Sequence, residues 1–162
     1  MTRDERRKLI DQYNDGYRVV AEALVGADDE ELDARPGPGK WTAREVVHHL
    51  ADSEMTAGIR LRLLVAFDNP TIDGYDQDEF ARRLFYDRPI EASLDAFKSA
   101  RRTTGEILER MSDADWMRPG AHTEHKAVKY TPERWLEIYG THAHKHAEQI
   151  LVARGAATKN KT

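Results

Sequence analysis

The sequence predicts an all-α protein built as a four-helix bundle. Apolar residues recur at three- and four-residue spacing over long stretches, and those stretches are delimited by proline, glycine and capping residues. Strand signals, by contrast, are few and short. At 162 residues one domain over 1–162 is expected, large enough to bury a core without disulfide or metal staples. The bundle is expected over about 4–155, and the small, Lys-rich stretch 156–162 reads as a flexible tail.

In the first segment Leu9, Ile10, Tyr13, Tyr17, Val20, Ala21 and Leu24 make one stripe from about Asp4 to Val25, and Gly26 stops it. A polar connection, Asp28 to Lys40, follows; its Arg35-Pro36-Gly37-Pro38-Gly39 run cannot hold a helix. The second helix starts with Thr42 as N-cap and Glu45 at the third helical position, a capping box, with Trp41 placed to staple onto Val46. It runs to about Phe67, before Asn69-Pro70. Phe80, Leu84 and Phe85 share a face and predict a short helix over Asp78 to Phe85. Pro89 suits the first turn of a third helix that reaches about Met111. From Trp116 to Tyr130 the pattern is weak: Pro119-Gly120 interrupts it and Ala127-Val128-Lys129-Tyr130 alternates, so a long loop or a small hairpin is expected. Thr131-Pro132-Glu133 then opens a fourth helix, ending near Gly155.

Composition excludes several classes of function. With no cysteine there is no disulfide, thiolate metal site or cysteine nucleophile. The formal charge of −4 does not suit a nucleic-acid binder, which shows a clustered basic excess. No stretch approaches the roughly 18 apolar residues of a membrane span, and Met1 to Lys8 is too charged for a signal peptide, so a cytoplasmic protein is expected.

The chemistry lies in the histidines. At about 100° per residue from Trp135, His142 falls near 340° and His146 near 20°, inside the stripe of Tyr139 and Ile150, whereas His144 falls near 180° and faces the other way. Imidazoles at i and i+4 can bring two nitrogens to one ion. The alternative is a pair of buried histidines hydrogen-bonded to neighbouring side chains. On the second helix, His49 lies nearer the core edge, with the small Ser53 one turn on, while His48 points toward solvent or a partner. His122 and His125 fall in the weakly patterned stretch and read as surface residues, with His122 able to line a pocket mouth.

The stretch Trp41-Thr42-Ala43-Arg44-Glu45-Val46-Val47-His48-His49-Leu50-Ala51-Asp52-Ser53, followed by His142-Ala143-His144-Lys145-His146-Ala147-Glu148-Gln149-Ile150, resembles the DinB/YfiT-like superfamily. The nearest likeness is to the branch of YfiT and the bacillithiol S-transferases, and Pro70-Thr71-Ile72 with Tyr75-Asp76 extends it over most of Asp4 to Gly155. The resemblance implies an up-down-down-up bundle, a homodimer, and a divalent metal held by His49, His142 and His146. The chain departs from some relatives at Gly140-Thr141, where bulkier residues are expected, and at Gln149, which replaces a further histidine.

Three neutral imidazoles leave Zn²⁺ or Ni²⁺ at least one open position, the arrangement of a catalytic site. In one reading, similar to the thiol transferases of the superfamily, the metal activates a low-molecular-weight thiol cosubstrate, bacillithiol-like, that attacks an electrophile; a chain without cysteine fits this. In another, a metal-bound hydroxide hydrolyses an ester or amide. A third is a metal-binding stress-response module without catalysis. Glu148 and Asp52 are candidate bases by nearness in sequence, against solvated carboxylates. Tyr139 is a candidate hydroxyl donor, against a core tyrosine. Arg60 is a candidate contact for an anionic substrate, against a surface salt bridge. Met55 and Ile59, on the outer side of the second helix, are the expected dimer contacts.

Overall fold

The computed structural model describes residues 1–124 and 129–159. Its helices are α1 (Arg3–Ala23), α2 (Asp29–Asp33), α3 (Ala43–Ala66), α4 (Gln77–Arg83), α5 (Glu91–Leu108), α6 (Asp113–Trp116), α7 (Pro132–Tyr139) and α8 (His142–Lys159). Two two-residue strands, β1 (Thr71–Ile72) and β2 (Ala121–His122), pair in parallel.

The expected helix starts appear at the capping residues. Thr42 accepts from the Glu45 amide while the Glu45 side chain accepts from the Thr42 amide. Thr2 and Glu5 make the same reciprocal pair on α1. Gly26 follows the end of α1 at φ +71°, a conformation glycine adopts without a Cβ clash. Other boundaries differ from the expectation. The polar connection contains α2, capped by Asp28. Pro89 precedes α5 rather than opening it, and the short helix starts at Gln77 because Asp76 caps it. The fourth helix is broken into α7 and α8 at Gly140-Thr141. Leu9 of α1 packs against Gly140, where a Cβ would stand 3.1 Å from its Cδ2 and 2.7 Å from the Leu136 carbonyl. α8 continues past Gly155 to Lys159, with Ala157 buried. Within the stretch expected to be a long loop or a small hairpin, β2 pairs with β1, and Tyr130 adds one bond from its amide to the Gly120 carbonyl. His125 and the Ala127-Val128 alternation lie outside the described residues.

Four long segments, α1, α3, α5 and α7–α8, pack so that α1 and α3 each touch both α5 and α8. The apolar core falls into two clusters. One takes Val20 of α1, Val46 to Ala51 of α3, Phe97 of α5 and Ala143 to Ala153 of α8. The other takes Ile10 and Tyr13, then Ala57 to Leu64, Leu108, and Trp135 to Tyr139. Residue number therefore rises from the first cluster to the second along α3 and α5, and falls along α1 and α7–α8. That is the up-down-down-up order, and its parallel α3 and α5 require the long connection carrying β1 and α4.

Between the two clusters lies a buried polar layer. Arg101 of α5 pairs with Glu54 of α3, each with 1–2% of its side chain exposed, and the Tyr13 hydroxyl donates to the same carboxylate. Arg101 Nε also donates to the Tyr13 carbonyl at 2.6 Å. Gly16 makes room: a Cβ there would stand 2.5 Å from Arg101 Nε. Among the described residues no helix is long and apolar enough to cross a membrane.

Candidate metal centre

α3 and α8 bring His49, His142 and His146 together, with one ring nitrogen of each within 4.8 Å of the others. His142 and His146, one turn apart, have their Nε2 atoms 3.1 Å from each other. The His49 ring lies 5.4 Å from that of His142 and 4.8 Å from that of His146. Three imidazoles on one tetrahedral ion, each about 2.1 Å from it, place their nitrogens about 3.4 Å apart, so this cluster is close to the spacing of a donor set.

The surroundings keep these rings neutral. Burial pushes His49 down to about 3, with neighbouring His146 adding to the effect. Burial, then His146 and His49, hold His142 well below the usual imidazole range. Burial lowers His146 as well, opposed by its hydrogen bond to Gln149. That bond, Nδ1 to Gln149 Oε1 at 2.8 Å, directs the Nε2 lone pair of His146 into the cluster. His49 is 3% exposed, and its buried Nδ1 has no hydrogen-bond partner among the described residues. A buried polar atom the protein leaves unsatisfied is uncommon and points to a missing ligand. Neutral nitrogen donors with converging lone pairs and one orphan atom fit a divalent cation.

The cluster opens onto a cavity of about 400 Å³ whose wall includes His49, Ser53, Arg60, Tyr75, Tyr139 and His142. A smaller cleft of about 250 Å³ reaches His146 and Gln149 from beside Trp41, whose ring lies 4.8 Å from that of His49. Tyr139 is buried, its ring 5.8 Å from that of His142, and its hydroxyl accepts from Arg60 Nη1 at 3.0 Å. Arg60 is only 7% exposed and donates through Nη2 to the Asp73 carbonyl at 2.5 Å, so it is no surface salt bridge.

Other candidates are placed differently from their sequence expectation. His48 does not point to solvent: it is fully buried, with Nδ1 2.8 Å from Ser93 Oγ and Nε2 3.0 Å from the Arg88 carbonyl. His122 is buried and lines the cavity, its Nδ1 accepting from the Glu124 amide at 3.2 Å. Glu148 is exposed on α8 and does not line the cavity. Asp52 accepts from the Tyr86 hydroxyl at 2.7 Å and is also outside it. His144 faces α1, 3.3 Å from Asp15. Tyr75, Gln77 and Tyr130 line the cavity as well, and no helical period marks them because they sit in or next to the connections.

A helical bundle with a converging three-histidine cluster, His49 buried and His142 and His146 half-buried, beside a cavity defines the class of protein. The chain belongs to the DinB superfamily, whose family model matches residues 12–150. It is 33% identical over 141 residues to a protein of Oceanobacillus iheyensis named "Putative metal-dependent hydrolase", covering 87% of this chain and 81% of that one. A Bacillus mycoides protein with the same descriptive name is 29% identical over 147 residues, covering 91% and 84%. Among solved structures the chain is similar to YfiT from Bacillus subtilis, described as "a probable metal-dependent hydrolase with an unusual four-helix bundle topology", with a TM-score of 0.87, 25% identity and coverage of 99% and 90%.

Proposed function

We propose that His49, His142 and His146 bind one divalent metal ion, Zn²⁺ or Ni²⁺, and that the protein is a metal-dependent enzyme transferring a small thiol cosubstrate to an electrophile. The observation that carries this reading is the convergence of three imidazoles, with His142 and His146 Nε2 3.1 Å apart and a ring nitrogen of His49 within 4.8 Å of both, at the edge of a cavity lined by His49 and His142. When bound, the ion supplies a Lewis acid that lowers the pKa of a thiol or water placed on it.

The protein's own residues supply the rest. Gln149 fixes the ring of His146. Trp41 covers His49 and keeps water from its buried face. Tyr139 and Arg60 position a substrate in the cavity, touching it without taking its protons. No side chain offers a reactive sulfur, so the thiol arrives as a cosubstrate. Hydrolysis is the second reading. The relatives' names favour it, as do His122 and Glu124, two proton acceptors lining the same cavity. We place a second copy of the chain, as a homodimer, on the α3 face that exposes Met55 and Ile59.

Elemental analysis of the purified protein is expected to find about one divalent ion per chain. The loaded protein should then conjugate monochlorobimane only when a small thiol is added. Cleavage of an activated ester without thiol supports hydrolysis instead. Protein that takes up no ion overturns both readings.

A further inference from the structure

We infer that Arg60, with the Tyr139 hydroxyl, forms a subsite for a carboxylate on the substrate, at the wall of the cavity that adjoins the three histidines. The inference rests on the reading of those histidines as the metal centre that holds the substrate's other end.

Three arginines are buried among the described residues: Arg44, Arg60 and Arg101. Arg44 pairs with Asp29 and Asp33, and Arg101 pairs with Glu54. Arg60 pairs with no carboxylate among the described residues. A guanidinium taken out of water without a counter-ion is costly, and proteins normally supply one. Among the described residues, two of its five N–H donors are used, on the Tyr139 hydroxyl and the Asp73 carbonyl, and its guanidinium lies 5.5 Å from the Tyr75 ring centre. Its Nε is buried with no partner among the described residues. One N–H on each of Nη1 and Nη2 is left over, and a guanidinium can give such a pair to a carboxylate in bidentate geometry.

Placement adds to this. Arg60 lines the same cavity as His49 and His142, and Tyr139 bridges it to the histidines, touching Arg60 through its hydroxyl and lying 5.8 Å from His142 ring to ring. A molecule whose carboxylate meets Arg60 therefore reaches the histidines with a group about one tyrosine's breadth away. The cavity volume of about 400 Å³ is in the range that accepts such a small molecule. Two carboxylates share the wall without neutralising Arg60. Asp76 Oδ1 accepts the amides of Asp78 and Glu79, and Glu124 is exposed at the rim.

The test is calorimetric titration of zinc-loaded protein with 3-mercaptopropionate and with its uncharged amide. The acid should bind at least tenfold more tightly. In Arg60→Gln that preference should vanish, with amide binding and zinc content unchanged. Equal binding of acid and amide by the native chain overturns the subsite, and so does a preference that survives in Arg60→Gln, because the zinc alone then makes it. If Arg60→Gln does not fold, Arg60→Lys keeps the charge and loses the fork. Its acid preference should fall between that of the native chain and unity, and an unchanged preference overturns the proposal. If neither thiol binds, the metal-centre reading fails, and ligand-observed NMR with 3-phenylpropionate and its amide decides the arginine separately. Contact by the acid only, lost in Arg60→Gln, supports the subsite; no contact by the acid overturns it.

Discussion

His48 looks toward α5 and has both ring nitrogens engaged, by Ser93 and by the Arg88 carbonyl, whereas His49 looks toward α8 and keeps a buried nitrogen with no partner among the described residues. The same contrast holds two turns further along α3, where Glu54 finds Arg101 and Tyr13. One side of this helix is a closed polar interior and the other an open one. Burial is nearly equal on the two sides, so burial does not separate structural from functional polar groups. Satisfaction does: a group whose hydrogen bonds are complete has no capacity left for a ligand.

The largest expected effect falls on the open side. Replacing His49 with Gln removes one of three donors, and metal affinity should drop by more than about 100-fold, beyond the 10- to 100-fold typical of losing a supporting partner. Elemental analysis after dialysis reads this out, and a variant that keeps its ion breaks the contrast. On the closed side, Arg101→Met leaves Glu54 buried without its counter-charge and should cost about 3–5 kcal/mol in urea unfolding. Replacing both partners, as Glu54→Leu with Arg101→Met, should cost less than the sum of the two single changes, since no charge is then stranded.

Gln149→Leu should sharpen the comparison, because it acts on the metal side without touching an ion. Loss of its bond to His146 Nδ1 frees the ring to turn, and metal affinity should fall about 10- to 100-fold with the fold intact. His48→Phe should do the reverse. It removes one bond each from Ser93, which keeps Arg88 Nη2 at 3.3 Å, and from the Arg88 carbonyl, which keeps Arg44 Nη1 at 3.5 Å, and should cost about 1 kcal/mol of stability, leaving the ion content unchanged. A loss of metal in His48→Phe would place that histidine in the site after all.

The contrast was legible in the sequence on one side only. Helical spacing selects His142 and His146 as an inward pair and His49 over His48, and the structure brings those three together. The error over His48 has a physical origin. A wheel count assumes one core face and one wet face, but α3 packs on α2, α4, α5, α7 and α8, so Arg44, His48, Glu54 and Arg60 are all buried. The Glu54–Arg101 pair spans 47 residues, and no local pattern announces a partner at that distance. Arg60 was legible as a candidate contact but not as a buried one, for the same reason. The β1–β2 pairing was not legible, since two-residue strands carry no period. The break at Gly140 is not legible because a lone glycine is tolerated within a helix; the close approach of Leu9 accounts for the glycine.

The smallest effect is expected where polar groups are satisfied but wet. Asp113 accepts from Arg3 and Arg6 near the start of α1, and those hydrogen bonds, the Arg3 one first, hold its carboxyl below the usual range. A depressed carboxylate contributes stability that is present above its unfolded value, near 3.8, and is lost as pH falls through the lower folded value. Asp113 is fully exposed to solvent screening, however, so the contribution is small even when present. Asp113→Asn should leave the urea midpoint at neutral pH within replicate scatter, and any difference from the native chain should shrink below pH 4 and in high salt. Glu54 and Asp113 are both carboxylates paired with arginine across helices, and only the buried one is expected to register. A shift for Asp113→Asn as large as that for Arg101→Met would mean that pairing, rather than desolvation with full satisfaction, sets the cost on the closed side.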